Sequence, residues 1–332
     1  MEDAHPAPVA QSDATSQHSP RVSFGTGLFR GPTGLRAGWR VLAFASVLIS
    51  SVWSLILAIR ALRSLAHLQR GAALSPGQSI LNETVILVGL LITSAIFARA
   101  ERRSFSEYGL PARGAFGAKF WEGLVWGFAA MSAVLLVLRA TGNFYFGTIS
   151  LPAGSVAAFA AAWFVYFVLV GVTEEFAFRG YPLFALARGM GFWPATGLTA
   201  LFFGGIHLLN AAENWVGTAS IVLSALLLAF TLRRTGDLWF AIGLHAAWDW
   251  AGSFFYGVPD SGISFTGHLL TPLFSGSKWM TGGSVGPEAS LITVFGYLVL
   301  LILVHFRFPA NVMQPIWSHR SHLTKRNPKD ER

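Results

Sequence analysis

The chain has 332 residues, of which 53% are hydrophobic and 12% charged, with a net charge of +8 and no cysteine. Soluble domains average about 25% charged residues, and the mean hydropathy here is +0.52. The composition excludes an ordinary soluble enzyme and a disordered or collagen-like chain, and leaves a polytopic membrane protein. Without cysteine there is no disulfide scaffold, thiolate zinc site or cysteine nucleophile.

Residues 1–36 are polar and rich in Ser, Gly, Pro and Ala. They contain no apolar stretch of signal-peptide type and read as a disordered cytoplasmic tail. A helix needs about 20 apolar residues to cross a bilayer core. Eight segments meet that need, some with interfacial help: 41–59, 84–98, 120–138, 156–173, 194–210, 214–232, 238–257 and 290–306. The helix of the fourth is expected to continue to about residue 187. The fifth opens on Pro194, where the missing N–H costs nothing. Trp39, Trp121, Trp193, Trp215 and Trp239 fall near span ends, as interfacial aromatics do. The expected fold is all-α, a polytopic membrane protein with about eight transmembrane helices over 37–308. A basic cytoplasmic tail follows at 309–332. Segment 101–119 mixes charge with Phe and Tyr and is expected along the membrane interface. Residues 258–289 read as a Gly-rich outer loop.

The basic excess has two readings, nucleic-acid binding or the cytoplasmic bias of Lys and Arg in membrane proteins. With the N-terminus inside, eighteen basic residues fall in inside segments and five in outside segments. The charge is therefore an orientation signal. Both termini are expected in the cytoplasm of a multi-pass protein of the cell membrane, and nucleic acid is not an expected partner.

Glu83, Glu122 and Asp237 sit at the edges of these segments, within reach of headgroups. Glu174, Glu175, Arg179, His207, His245 and Asp249 do not. Charged side chains at mid-bilayer cost at least ~2.5–3.5 kcal/mol on insertion scales, and they mark pathways, ligand sites or catalysis. Glu175 and Arg179 are four residues apart and share a helix face. Glu174 lies about 100° away and must meet another polar group. His245 and Asp249 are also four apart. His207 follows Gly204 and Gly205, which admit a close neighbouring helix. Four of the six have a bland reading: a structural ion pair for Glu175 and Arg179, a backbone-bound ring for His207, a capped helix break for Asp249. Glu174 has no visible bland partner, so Glu174, His207, His245 and Asp249 are expected to share one buried polar pocket.

Glu174-Glu175-x-x-x-Arg179, Phe203-x-x-x-His207 and His245-x-x-x-Asp249, in this order on successive apolar helices, resemble the motifs of the CPBP family. This is the family of CAAX prenyl endopeptidases and of bacteriocin-processing and abortive-infection proteins. The resemblance covers about residues 155–255, with echoes in Tyr108-Gly109-Leu110 and Gly286-Pro287-Glu288. It implies an all-helical intramembrane endopeptidase in which a Glu and a His activate water, helped by a second His and an Asn. Here Asp249 stands where the family more often has Asn. An ionised Asp would repel an oxyanion, so Asp249 must be protonated in its apolar site or must orient His245. Glu174, His207, His245 and Asp249 are also reasonable ligands for a divalent metal such as zinc, and the residues leave both mechanisms open. The resemblance implies water activation by Glu174 and His207.

Rival motifs fail. There is no His-Glu-x-x-His, and Gly282-x-Ser284-x-Gly286 lies in the outer loop without a strand-to-helix turn. A proton-coupled transporter could use the same buried groups. Transporters usually show two related halves, whereas these polar residues crowd into 174–249. The expected partners are the lipid bilayer and a peptide or membrane-protein substrate.

Overall fold

A computed structural model describes residues 29–31, 34–65 and 75–310. The parts of the expected tails at 1–28 and 311–332 lie outside these described residues. All eight apolar segments are helical. With two further helices between them, they form α1 (Ala37–Leu65), α2 (Pro76–Ala100), α3 (Ala118–Ala140), α4 (Ala153–Arg179), the additional α5 (Tyr181–Met190), α6 (Phe192–His207), α7 (Trp215–Thr235), α8 (Trp239–Trp250), the additional single turn α9 (Lys278–Thr281) and α10 (Leu291–Arg307). Among the described residues, five spans are long and apolar enough to cross a membrane: α1, α2, α3, α4 with α5, and α7. α6 has 16 residues, α8 has 12 before a π-helical extension over Ala251–Tyr256, and α10 has 17. The chain is an all-α polytopic membrane protein. Large apolar side chains such as Trp53 and Leu57 on α1, Val125 on α3 and Phe295 and Phe306 on α10 face outward, as lipid-facing surfaces do.

Several helix starts follow from capping. Ser75 accepts from the Gln78 amide, with Pro76 at the first position of α2. Asn214 accepts from the amides of Val216 and Gly217 to open α7, and Ser290 accepts from Thr293 N to open α10.

Three expectations change. The fourth helix does not run unbroken to about residue 187. It ends at Arg179, because Gly180 leaves the helical region (φ −81°, ψ −127°) and Pro182 in the next turn has no N–H to continue the ladder. The second helix extends well beyond the expected 84–98. It begins at Pro76, so Glu83 lies within it and not at its edge. The 258–289 segment is an ordered cap, not an open loop. Its strand β2 (Leu270–Phe274) pairs antiparallel with β1 (Phe144–Ile149), and Gly257 bends into it at φ 68°, where a Cβ would overlap the Leu270 carbonyl.

The helix that carries His245 is seated by glycine. Gly123 and Gly127 of α3 face the carbonyls of Phe240 and Leu244, and Gly243 of α8 faces Phe120 O. A Cβ at any of the three would overlap backbone. Backbones in such contact gain packing that larger residues forbid. At Gly204 a Cβ would meet Val222 and Thr218 of α7, so the expected close approach holds there. Gly205 has nothing near.

The segments assigned to one side of the membrane meet at one end of the bundle. Arg40 and Arg188 pair with Glu101, Lys119 lies 2.5 Å from Asp237, and Arg307 lies 2.7 Å from Glu122. Glu101 also accepts from Tyr181 at 2.6 Å and from Tyr108 at 3.0 Å. Burial alone would raise its carboxyl, but the bonds from Tyr181 and Arg40, and the Arg40 charge, hold it below the usual carboxylate range. At the other end, Ser150 bonds to His268 O and Asn210 to Ser261 O.

Candidate functional site

The six sequence-derived residues come from three adjacent elements: α4 with its Glu-Glu-x-x-x-Arg turn, the last residue of α6, and the middle of α8. Helical spacing alone brings Nη1 of Arg179 to 3.2 Å from Oε1 of Glu175. The partner that no spacing reveals is His245. Its Nδ1 donates to the same Glu175 oxygen at 2.9 Å. A carboxylate paired with a guanidinium can only accept, so Nδ1 carries the proton. Nε2 of His245 then faces Asp249 Oδ2 at 3.3 Å and Glu174 Oε2 at 3.6 Å.

Burial separates the two adjacent glutamates. Glu175 has a side-chain exposure of 0%, and Glu174 has 30%. Glu175 is locked into an ion-paired cluster with Arg179, whose guanidinium also lies over the Phe203 ring at 4.5 Å. Glu174 instead opens on a cavity of about 240 Å³, lined also by His207, His245 and Asp249. The expected common pocket is present.

His207 makes the backbone bond that its bland reading anticipated: Nδ1 to Phe203 O at 2.7 Å. A carbonyl only accepts, so Nδ1 holds the hydrogen, and the neutral ring keeps its Nε2 lone pair for another partner. Among the described residues no ion pair joins His207 to Glu174. The two share the cavity.

The cavity wall holds groups that sequence reading placed elsewhere: Glu83 from α2, Asp260 and Ser261 from the cap, and Glu288. The apolar run at 84–98 puts Glu83 at a span edge, whereas the helix begins at Pro76 and carries Glu83 inside it. Glu288 is buried and accepts from Trp248 Nε1 at 2.8 Å and from Ser261 N and Oγ at 2.9 and 2.8 Å. It pins the cap onto α8. The Gly286-Pro287-Glu288 echo was the available signal. Burial and the carboxylates of Asp249 and Glu288 push the Asp260 carboxyl well above its ordinary value.

The expected metal set was Glu174, His207, His245 and Asp249. Among the described residues, the carboxylate or imidazole group whose ligand atoms lie within 4.8 Å of one another is a different one: Asp249, Asp260 and Glu288. It shares only Asp249 with the expected set. An all-carboxylate set suits a hard cation better than zinc, and both Glu288 oxygens already accept hydrogen bonds. The geometry therefore does not assemble the four expected ligands.

Residues 156–251, from the first turn of α4 to the end of α8, match the family model described as type II CAAX prenyl endopeptidase Rce1-like. No curated protein and no solved structure matches the chain. Nothing in these comparisons supports a transporter. Residues 156–251 of this multi-pass membrane protein are thus similar to the Rce1-like type II CAAX prenyl endopeptidase family, consistent with a CPBP-family intramembrane protease.

Proposed function

We propose that this protein is an endopeptidase that hydrolyses a peptide bond of a prenylated CAAX-type substrate at the membrane, using water activated by Glu174 and His207. The observation that carries this reading is the arrangement of Glu174, His207 and His245 around one cavity, with Glu174 the open carboxylate and Glu175 the buried one. A water between Glu174 and Nε2 of His207 loses its proton to the carboxylate as its oxygen adds to the substrate carbonyl. His245, anchored through Nδ1 on Glu175, offers Nε2–H to the oxyanion. A ring donating from both nitrogens carries a positive charge, matched here by Glu175 and Asp249. Asp249 acts by holding His245, which accounts for an acidic residue where the family more often has Asn. No step is routed through a metal. The basic-residue asymmetry further supports both termini in the cytoplasm, with the end carrying Glu101 on that side.

The test is cleavage of a prenylated CAAX-type peptide by the purified protein in detergent. Glu174→Gln and His207→Ala should each leave a folded protein and lower the rate by about 10²–10⁴-fold. Full cleavage by Glu174→Gln would end the assignment.

A further inference from the structure

Glu83 enters the cavity from α2, a helix that precedes the family-matched segment. It shares the wall with Tyr166 and Glu174 of α4 and lies within electrostatic reach of both. None of the ion pairs among the described residues gives Glu83 a cation, whereas Glu175 has Arg179. An ionisable side chain within a span, turned toward a cavity, marks function by default.

Glu174, once it holds the water proton, can return it to the leaving group, but a second carboxyl on the same cavity divides the two tasks. Hydrolysis of an amide needs a proton on the departing nitrogen, because an amide anion is too basic to leave. Two carboxyl groups that face one cavity and hold one proton between them supply a base and an acid at once.

We propose that Glu83 is the general acid of the peptidase reaction, giving its carboxyl proton to the scissile nitrogen. This rests on the reading that Glu174 activates water. Water oxygen bonds to the carbonyl carbon while its proton passes to Glu174. The tetrahedral intermediate then collapses: the C–N bonding pair goes to nitrogen, which takes the proton from Glu83. The products are a carboxylic acid and an amine. The proton on Glu174 returns to Glu83 through the water of the cavity, and one water is consumed per bond cut.

A leaving group that needs no proton distinguishes this role from a structural one. Thiols ionise near pH ~8.5, so a thiolate departs unprotonated. Wild type, Glu83→Gln, Glu83→Asp and Glu174→Gln, checked for folding by gel filtration in detergent, are assayed on a prenylated CAAX-type peptide and on its analogue with sulfur in place of the scissile nitrogen. Glu83→Gln should lose about 10²–10⁴-fold on the peptide and stay within about tenfold of wild type on the thioester. Glu83→Asp, still an acid, should regain part of the peptide activity. Glu174→Gln should lose both activities. Wild-type peptide cleavage by Glu83→Gln, or an equal loss on both probes, overturns the proposal. Should Glu83→Gln fail to fold, an unchanged peptide-to-thioester ratio in Glu83→Asp overturns it equally. Full peptide cleavage by Glu174→Gln would sink the water-activation reading and leave the Glu83 ratio readable. A wild-type protein inert on both probes would sink both.

Discussion

Glu175 binds His245 across two helices: Nδ1 of the ring donates to Oε1 of the carboxylate at 2.9 Å, and the same oxygen faces Arg179 at 3.2 Å. A pair on α4 that could have been packing glue thus also orients a ring on α8. Arg179→Ala leaves a fully buried carboxylate without its cation. Breaking a buried pair in this way costs about 3–5 kcal/mol, so both folded yield and activity should fall. Normal yield together with normal turnover would show that the pair does no structural work.

Asp249→Asn separates two roles for the acidic residue on α8. If Asp249 only holds His245, the amide oxygen can still accept from Nε2, and activity should stay within about tenfold. If Asp249 binds a metal, the variant should lose bound metal and activity together, read by elemental analysis of the purified protein beside the peptidase rate.

The α3–α8 seam offers a third test. Gly127→Val places a side chain against the Leu244 carbonyl, and no rotamer change relieves a clash with backbone. Overpacking costs typically about 1–3 kcal/mol, and a shift of α8 away from α3 disturbs the His245–Glu175 bond it carries. Thermal unfolding in detergent should show a lowered midpoint, with activity reduced further than the remaining folded fraction explains. Wild-type values for both would mean that the seam tolerates separation.

At the end of the bundle, Glu101 makes stability depend on pH. Its folded carboxyl is held below the ordinary value by Tyr181 and Arg40. The stabilisation is therefore complete above the unfolded value, near pH ~4.3, and is lost as pH falls through the lowered folded value. At neutral pH, Glu101→Gln should destabilise by about 1.5–3 kcal/mol, the range for hydrogen bonds to charged groups. The gap between variant and wild type should close as pH falls toward 4 and below. A gap that does not change with pH would contradict the charge assignment.

Orientation is checked by reporters. A reporter fused after Arg332 should be active only if it functions in the cytoplasm, because the basic residues concentrate on that side. Signal from an exported reporter at the same site would invert the assignment.

The sequence by itself determined the class of protein, the approximate place of every apolar helix, and the six ionisable residues whose burial needed a reason. These are local properties. Hydropathy runs over a span, and i,i+4 spacing puts Glu175 beside Arg179 and His245 beside Asp249 whatever the rest of the chain does. Only the tertiary structure decided which glutamate faces the cavity, that Glu175 reaches His245 seventy residues away, and that His207 shares the cavity without touching Glu174. It also brought Glu83, Asp260 and Glu288 to the same wall. Those relations depend on how α2, α4, α6, α8 and the cap pack together, and packing in this bundle is set by contacts such as Gly127 against Leu244 and Glu288 against Trp248. No periodicity within one helix records which face of another helix it will meet. Glu83 shows the limit most plainly: a carboxylate just before the apolar run at 84–98 looks like the end of a span, and only the packing of α2 against α4 makes it part of a cavity wall.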